Sequence, residues 1–268
     1  MLELEHGYPA VDAHTRLAPD AGSQDRGYMV APDRLERELR QAGIVRSLVA
    51  TPPGPEDYVG PNNWVARVAV DRPFVPAARI AGSEPMVAGR LERVRAAVSG
   101  DEREGTSPAD AERYGYGDRF QAFVLDPVVD GLPNRDLLDT LEDVGLPVVV
   151  DAWDGGLPDR LLEWSFPLVL AGFGGGGRDQ IASVVDACGS HDQLYLDTRF
   201  VRHRDVLERA LLEHPDRVVF GSGAPACHPD VAVMEILTLD VSEDLLRRAL
   251  WKNAARVIPA LDPGATDF

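Results

Sequence analysis

The chain has 268 residues, with 44 acidic and 27 basic residues and a formal net charge of −17 at pH 7. So negative a surface repels nucleic-acid phosphates and anionic membranes, and we expect neither as a partner. No stretch reaches the roughly 18 apolar residues of a membrane-spanning helix, and the first five residues do not have the pattern of a signal peptide. Cys188 and Cys227 form no disulfide framework. These features predict a cytoplasmic protein.

The composition also predicts adaptation to a salt-rich cytoplasm. Lys252 is the only lysine, so the remaining basic residues are arginines. In molar salt the Debye length falls to about 3 Å, which screens the mutual repulsion of acidic surface groups. We therefore expect a halophilic protein, and an ordinary acidic protein is the alternative.

In chain order, short apolar runs alternate with amphipathic helical stretches, which is typical of repeated βα units around a parallel sheet. The predicted strands are Ala10–His14, Ile44–Ala50, Phe74–Arg79, Phe120–Asp126, Pro147–Asp151, Pro167–Ala171, Gln193–Asp197 and Arg217–Gly221. A barrel of this kind typically has roughly 250 residues. The pattern predicts an α/β fold, a (β/α)8 TIM barrel with one domain over residues 1–268.

Helix ends and long loops are also predicted from local residue types. Asn134 and Gly145 are expected to cap a helix at its two ends, and Ser242 to begin the last helix. The polar stretch Ser99–Arg119 is predicted to be a solvated insertion on the amino-terminal face of the barrel. Ligands are expected at the opposite face, beside the segments Thr15–Ala31, Thr51–Asn63, Ala152–Pro158 and Ser222–Val231.

Six sequence motifs, in order along the chain, resemble those of the amidohydrolase-related metal hydrolases. They are Val11-Asp12-Ala13-His14-Thr15-Arg16, Phe123-Val124-Leu125-Asp126-Pro127, Gly145-Leu146-Pro147-Val148-Val149-Val150-Asp151, Phe166-Pro167-Leu168-Val169-Leu170-Ala171-Gly172-Phe173-Gly174-Gly175, Phe220-Gly221-Ser222-Gly223-Ala224-Pro225 and Asn253-Ala254-Ala255-Arg256-Val257. The resemblance implies a (β/α)8 barrel of this superfamily and a metal-dependent hydrolase ancestry. It also implies that the protein can form a homodimer.

The resemblance places the family's metal ligands on strands 1, 5, 6 and 8. The matching positions here are His14, Arg16, Asp151, Gly172 and Gly223, so only His14 is a residue of the family's type. Arg16 offers only donors and a fixed positive charge, and the glycines offer no ligand. We therefore expect no metal cofactor. The alternative is a rebuilt site from Asp12, His14, Asp126 and Asp151 that holds Mn, Mg or Zn, with a hard ion preferred by its carboxylates.

Two further interpretations of the polar residues at the strand ends stay open. In one, Arg16 pairs with Asp151 or Asp126 and fills the former metal site as a structural ion pair. In the other, Arg16 binds a small polar or anionic molecule beside Asp12, Asp126 and Asp151, and His14 is the general acid–base group. We therefore expect a divergent family member that binds a small polar or anionic ligand or acts as a pseudoenzyme. The alternative is an active hydrolase or lyase, for example a decarboxylase, that uses the rebuilt carboxylate-rich site or no metal.

The acidic composition predicts that KCl stabilises the fold. When KCl is raised from about 0.1 M to about 3 M, the Tm is expected to increase by roughly 10 °C or more, because screening weakens a repulsion that is stronger in the compact folded state than in the unfolded chain. Circular dichroism at several KCl concentrations measures this. A Tm that does not respond to KCl would contradict the halophilic interpretation.

Overall fold

The computed structural model describes residues 7–18, 30–54, 57–84, 105–151, 159–172 and 177–264. Its strands are β1 (Ala10–Arg16), β2 (Ile44–Ala50), β3 (Phe74–Pro76), β4 (Ala78–Arg79), β5 (Phe123–Leu125), β6 (Val148–Asp151), β7 (Leu168–Ala171), β8 (Leu194–Asp197) and β9 (Val218–Val219). All of the paired strands are parallel. Each predicted strand is present, and most are shorter at their ends than the apolar runs.

The strands form a closed ring. The hydrogen-bonded orders are β1-β2-β3 and β4-β5-β6-β7-β8-β9, and only Ala77 separates β3 from β4. These two short strands are one barrel strand whose first half pairs with β2 and whose second half pairs with β5. The Ala13 amide donates to the Phe220 carbonyl at 2.8 Å, and the Gly223 amide donates to the His14 carbonyl at 3.0 Å. These bonds join β1 to the segment after β9, which confirms the predicted (β/α)8 barrel.

Side chains alternate between the inside of the barrel and the layer beneath the helices. On β6, Val149 belongs to an inner apolar cluster, whereas Val148 and Val150 pack in the outer one. This period of two follows from the pleat of a strand. The inner cluster is built mostly from Val and Ala, and it continues into Val257 and Leu261 near the end of the chain. The last helical segment therefore closes the amino-terminal end of the barrel.

Helices surround the strands. In the described residues they are α1 (Pro32–Gln41), α2 (Val59–Ala69), α3 (Pro108–Gly115), α4 (Arg135–Val144), α5 (Arg178–Ala187), α6 (Arg204–Glu213), α7 (Pro229–Leu237), α8 (Glu243–Arg247) and α9 (Asn253–Val257). A π-helical turn, Arg248–Lys252, joins α8 to α9, and 3-10 helices occupy Asp159–Glu163 and Pro259–Leu261. None of the helices described is long and apolar enough to cross a membrane.

The predicted helix caps are confirmed. Asn134 accepts a hydrogen bond from the Leu137 amide at 3.0 Å, and Gly145 ends α4 in the left-handed conformation at φ 72°. Ser242 accepts from the Leu245 amide at the start of α8. Each cap satisfies backbone groups that the helix itself leaves unpaired.

The prediction for Ser99–Arg119 was wrong in the part that the structure describes. Pro108–Gly115 forms α3, and its Ala111 and Tyr114 are buried in the core. The Thr106 amide donates to the Ala81 carbonyl at 2.8 Å, just beyond β4. The start of α3 therefore lies at the carboxyl-terminal face of the barrel and not at the opposite face. Residues 99–104 lie outside the described ranges.

The motif residue Asn253 has a structural role that can be tested. Its buried side chain donates to the carbonyls of Pro215 and Val218, both at 2.8 Å. Asn253→Ala leaves these carbonyls without that donor, so the free energy of unfolding is expected to fall by about 2–4 kcal/mol. Urea denaturation in KCl measures the loss. The control Lys252→Ala, at a part-exposed neighbour, is expected to cost under about 1 kcal/mol; equal costs would refute this role.

Candidate functional site

A buried carboxylate at the end of β6 lies between two arginines. The Asp151 side chain is 1% exposed; its Oδ2 contacts Arg16 Nη2, and its Oδ1 accepts from Arg199 Nη1 at 2.8 Å. Arg16 comes from β1 and Arg199 from the turn after β8. The ion pair between Arg16 and Asp151, one of the open interpretations, is therefore present, and it is extended by an arginine that the sequence motifs did not single out.

His14 lies against the same guanidinium. Its Nε2 is 3.0 Å from Arg199 Nη1 and 3.8 Å from Asp151 Oδ2. Because a guanidinium only donates, Nε2 accepts this bond and the ring proton is on Nδ1. Burial lowers the pKa of His14 well below its usual range, and the charges of Arg199 and Arg16 lower it further. His14 is therefore a neutral imidazole at pH 7.

Asp12 supports the backbone around His14. Its Oδ1 accepts from the amides of His14 and Ser222, both at 3.0 Å, and its Oδ2 accepts from the Ser222 hydroxyl. The residue is fully buried. Burial raises its pKa to about 6, although these donors partly oppose the shift. The predicted ligand-binding residue Asp12 thus has both oxygens engaged in holding β1 to the segment after β9.

Asp197 repeats this arrangement on the other side of the site. Its Oδ1 accepts from the Arg199 amide at 2.6 Å, two residues further along the chain, as Asp12 does for His14. Burial raises the pKa of Asp197 to about 7, and the nearby Asp12 carboxylate adds to the increase. The guanidinium of Arg199 also lies over the Phe200 ring, 4.6 Å from its centroid. Arg199 is therefore held at both its backbone and its side chain.

Asp126 has a turn-forming role. Its Oδ1 accepts from the amides of Val128 and Val129, both at 3.1 Å, in the loop after β5. Burial raises its pKa above the ordinary value. Its own amide donates to Asp130 Oδ2 at 2.9 Å. The charge of the predicted ligand-binding residue Asp126 acts to raise the pKa of Arg16. The hydrogen bonds described for its side chain come from its own loop.

A second buried ion pair adjoins this loop. Arg79, which is 0% exposed, donates to Asp130 Oδ2 and to the Thr51 carbonyl, both at 2.7 Å. Tyr58 donates to the other oxygen of Asp130. Arg79 and Asp130 thus tie the loop after β2 to the loop after β5.

Three buried N–H groups of this site lack a hydrogen-bond partner among the described residues: Arg16 Nε, Arg79 Nη2 and His14 Nδ1. Burial lowers the pKa of Arg16 to about 9, and the charges of Arg199 and Arg79 contribute. Arg16 pairs with Ala50 of β2, and Arg79 donates to the carbonyl of the next residue, Thr51, so both arginines lie at the same end of β2. Arg16 still carries its charge at pH 7. These three groups are donors, so they favour a ligand that offers acceptors; on the other side of the site the buried Asp197 Oδ2 also lacks a hydrogen-bond partner among the described residues.

Sequence reasoning missed Arg79 and Arg199 because neither belongs to a motif. Their only sequence signal is position, since each lies at or just beyond the carboxyl end of a strand. Three predicted ligand-side segments are described only in part or not at all, because residues 19–29, 55–56 and 152–158 lie outside the described ranges. Phe173–Gly175, at the end of the motif that contains β7, also lie outside the described ranges.

The raised pKa of Asp197 predicts a pH dependence of stability. The native pKa of about 7 lies above the ordinary value of 3.8, so the native state holds the proton more tightly than the unfolded chain. The stability from this proton is complete below about pH 4 and is lost as the pH rises through 7. Asp197→Asn removes the titration. The free energy of unfolding of Asp197→Asn minus that of the wild type is therefore expected to increase by roughly 2–4 kcal/mol from about pH 4 to pH 8, because only the wild type loses stability by this titration.

Chemical denaturation at a series of pH values measures this difference. The control Asp192→Asn changes an exposed carboxylate and is expected to follow the wild type at every pH. A difference between Asp197→Asn and the wild type that does not change with pH would show that Asp197 is ionised throughout.

The fold is similar to that of several solved structures. The chain aligns with 2,6-dihydroxybenzoate decarboxylase from Rhizobium with a TM-score of 0.68 and 13% identity, over 94% of this chain and 99% of that one. It aligns with the uncharacterized TIM-barrel protein Bb4693 from Bordetella bronchiseptica with a TM-score of 0.61 and 20% identity. That alignment covers 94% of this chain and 99% of the other. A dihydroxybenzoic acid decarboxylase from Polaromonas sp. JS666 was solved with bound manganese and 2-nitroresorcinol. It aligns with a TM-score of 0.65 and 14% identity, over 94% of this chain and 97% of its own.

The described residues around His14 and Asp151 do not form a manganese site. Among the described residues, no three His, Cys, Asp or Glu side chains form a group that could hold a metal. The residues of the alternative rebuilt site are therefore not brought together as one donor set. His14 Nε2 and Asp151 instead face the guanidinium of Arg199, whose positive charge opposes a divalent cation at that position.

No curated protein sequence matches the chain. A family model described as amidohydrolase matches residues 11–260, which include β2 to β9 and all of β1 except Ala10. The motifs at the strand ends and the closed parallel barrel agree with that match, and the chain belongs to the amidohydrolase family.

Proposed function

We propose that this protein is a divergent amidohydrolase-family barrel that binds a small anionic molecule at Arg16 and Arg79, without the metal centre of ordinary hydrolases. The observation that carries the proposal is a set of buried donors that have no hydrogen-bond partner within the described part of the chain: Arg16 Nε, Arg79 Nη2 and His14 Nδ1. A buried donor left unpaired costs about 1–3 kcal/mol. A ligand that accepts these bonds recovers that free energy.

The charges around the site also favour an anion. Arg16 and Arg199 share the single carboxylate of Asp151, while Arg79 is balanced by Asp130. His14 is neutral, so it does not change this balance. The pairs of Arg16 with Asp151 and of Arg79 with Asp130 place two guanidinium groups beside a neutral imidazole, and these groups favour a bound anion over a cation.

A carboxylate is the anionic group that we propose. A guanidinium group matches the two oxygens of a carboxylate in a planar, paired geometry. Similar structures include 2,6-dihydroxybenzoate decarboxylase and 5-carboxyvanillate decarboxylase, whose names each contain a carboxylated aromatic compound. These support an aromatic carboxylate as the first probe.

The proposal predicts that Arg16 contributes directly to affinity. In isothermal titration calorimetry with 2,6-dihydroxybenzoate in KCl, the wild type is expected to bind one equivalent. Arg16→Met keeps an unbranched side chain that fills the space of the aliphatic part but removes the guanidinium donors and charge, so the Kd is expected to increase roughly 10- to 100-fold. The control Arg67→Met removes an arginine from the exposed face of α2 and is expected to bind like the wild type.

Different outcomes separate ligand binding from a purely structural ion pair. If Arg16→Met lowers the Tm but leaves the Kd unchanged, Arg16 only stabilises the fold and the proposal fails. If inorganic phosphate binds as tightly as the carboxylate, the site selects charge without selecting the carboxylate group. Absence of any binding to the wild type would also reject the proposed function.

A second candidate function is a lyase or hydrolase reaction that uses no metal. The similar decarboxylase structures and the neutral imidazole of His14, a potential acid–base group, favour this alternative. Release of CO2 from 2,6-dihydroxybenzoate by protein treated with a chelator would support it. Binding without turnover would favour the pseudoenzyme.

A further inference from the structure

The ends of four barrel strands converge on the side chain of Arg199. Its Nη1 contacts His14 Nε2 from β1 at 3.0 Å and Asp151 Oδ1 from β6 at 2.8 Å. Gly172 follows β7, and a Cβ atom placed on it would lie 3.9 Å from Nη1. Gly223 follows β9 and lies against the aliphatic part of the same side chain.

The two glycines leave the space that Arg199 occupies. A Cβ atom at Gly223 would lie 2.7 Å from Arg199 Cδ and 2.8 Å from Cγ and Nε, closer than real Cβ contacts. A Cβ atom at Gly172 would lie 3.1 Å from Asp151 Oδ1. Both glycines also have positive φ, at 68° and 76°, which side chains rarely adopt. A ligand side chain at position 223 and the observed position of Arg199 therefore exclude each other.

We infer that Arg199 is an internal cation that takes the place of a divalent metal ion in this barrel. By the motif resemblance, His14, Asp151, Gly172 and Gly223 stand where the family has metal ligands. Here these four positions surround a guanidinium group. Together with Arg16 it supplies two positive charges to Asp151, which equals the formal charge of a divalent ion.

The fixed position of Arg199 supports this role. Its amide donates to the buried Asp197, and its guanidinium packs over the Phe200 ring. Both partners, Asp197 and Phe200, are neighbours of Arg199 in the sequence, so these contacts do not require a ligand. The inference therefore goes beyond the proposed anion binding, and it can hold if that proposal fails.

The inference predicts how metal affinity responds to the arginines. With Mn²⁺ as the probe, measured by electron paramagnetic resonance and equilibrium dialysis, the wild type is expected to bind far less than one equivalent at the site. The double variant Arg16→His/Arg199→Gly removes both positive charges and places a second imidazole beside His14 and Asp151. Three protein ligands are the usual minimum for a catalytic metal, so one equivalent is expected to bind, roughly 100-fold more tightly than to the wild type.

The control is Arg16→His/Arg67→Ala, which has the same change of net charge but keeps Arg199. It is expected to bind Mn²⁺ as weakly as the wild type, because the guanidinium of Arg199 stays against His14 and Asp151. If the control binds as tightly as the double variant, Arg199 does not exclude the metal and the inference fails. A folded double variant that binds no Mn²⁺ overturns it as well.

The wild type gives an independent test that does not depend on a variant folding. Mn²⁺ broadens the nuclear magnetic resonance signals of an imidazole that it contacts, and His14 is assigned by comparison with His14→Gln. No broadening of the His14 signals beyond that of the exposed His228 is expected. Selective broadening at one equivalent of Mn²⁺ would overturn the inference. Carboxylate titrations address only the proposed function, so the two failures can be distinguished.

Discussion

The carboxylate of Asp151, buried between the guanidinium groups of Arg16 and Arg199, is the interaction on which the rest of the site depends. An isolated carboxylate at 1% exposure would be strongly disfavoured, and so would either cation without it. The three groups come from β1, β6 and the turn after β8, so their pairing also links distant parts of the ring. Removing one member leaves a buried charge without compensation, and this explains why the cluster acts as a unit.

Two further carboxylates keep this cluster in position through the backbone of its members. Asp12 holds the amide of His14, and Asp197 holds the amide of Arg199, so each acts on the residue two positions further along. Both are fully buried, and burial raises the pKa of each, to about 6 and about 7. Protonation of these groups reduces the cost of burying them. The site is thus an arrangement of fixed cations supported by carboxylates that are partly neutral near pH 7.

The proposed role of Arg199 has a consistent physical logic. Gly223 has no side chain and leaves room, and Arg199 fills that room with a fixed charge. A guanidinium group donates hydrogen bonds but cannot polarise a water molecule as a divalent ion does. The proposed recognition of an anion and the proposed replacement of the metal both follow from this difference. A similar decarboxylase structure contains manganese, whereas the described residues of this chain do not form a group that could hold a metal ion.

Much of the fold follows from local residue patterns. The strand runs, the caps at Asn134 and Ser242 and the glycine at position 145 were all predictable, because period-two burial and capping depend on near neighbours in the chain. The error at Ser99–Arg119 arose because composition does not tell which face of a barrel a polar segment reaches. Only the contact of Thr106 with Ala81 determines that face.

The sequence alone determined the order and spacing of the βα units, and the motif resemblance places Arg16, Gly172 and Gly223 at positions where the family has metal ligands. It did not determine which side chains meet at these positions. Arg199 lies 185 residues from His14 along the chain, and no local pattern connects them. Closure of the ring brings these two side chains together, because the carboxyl ends of parallel strands meet at one face. That convergence is a property of the tertiary structure.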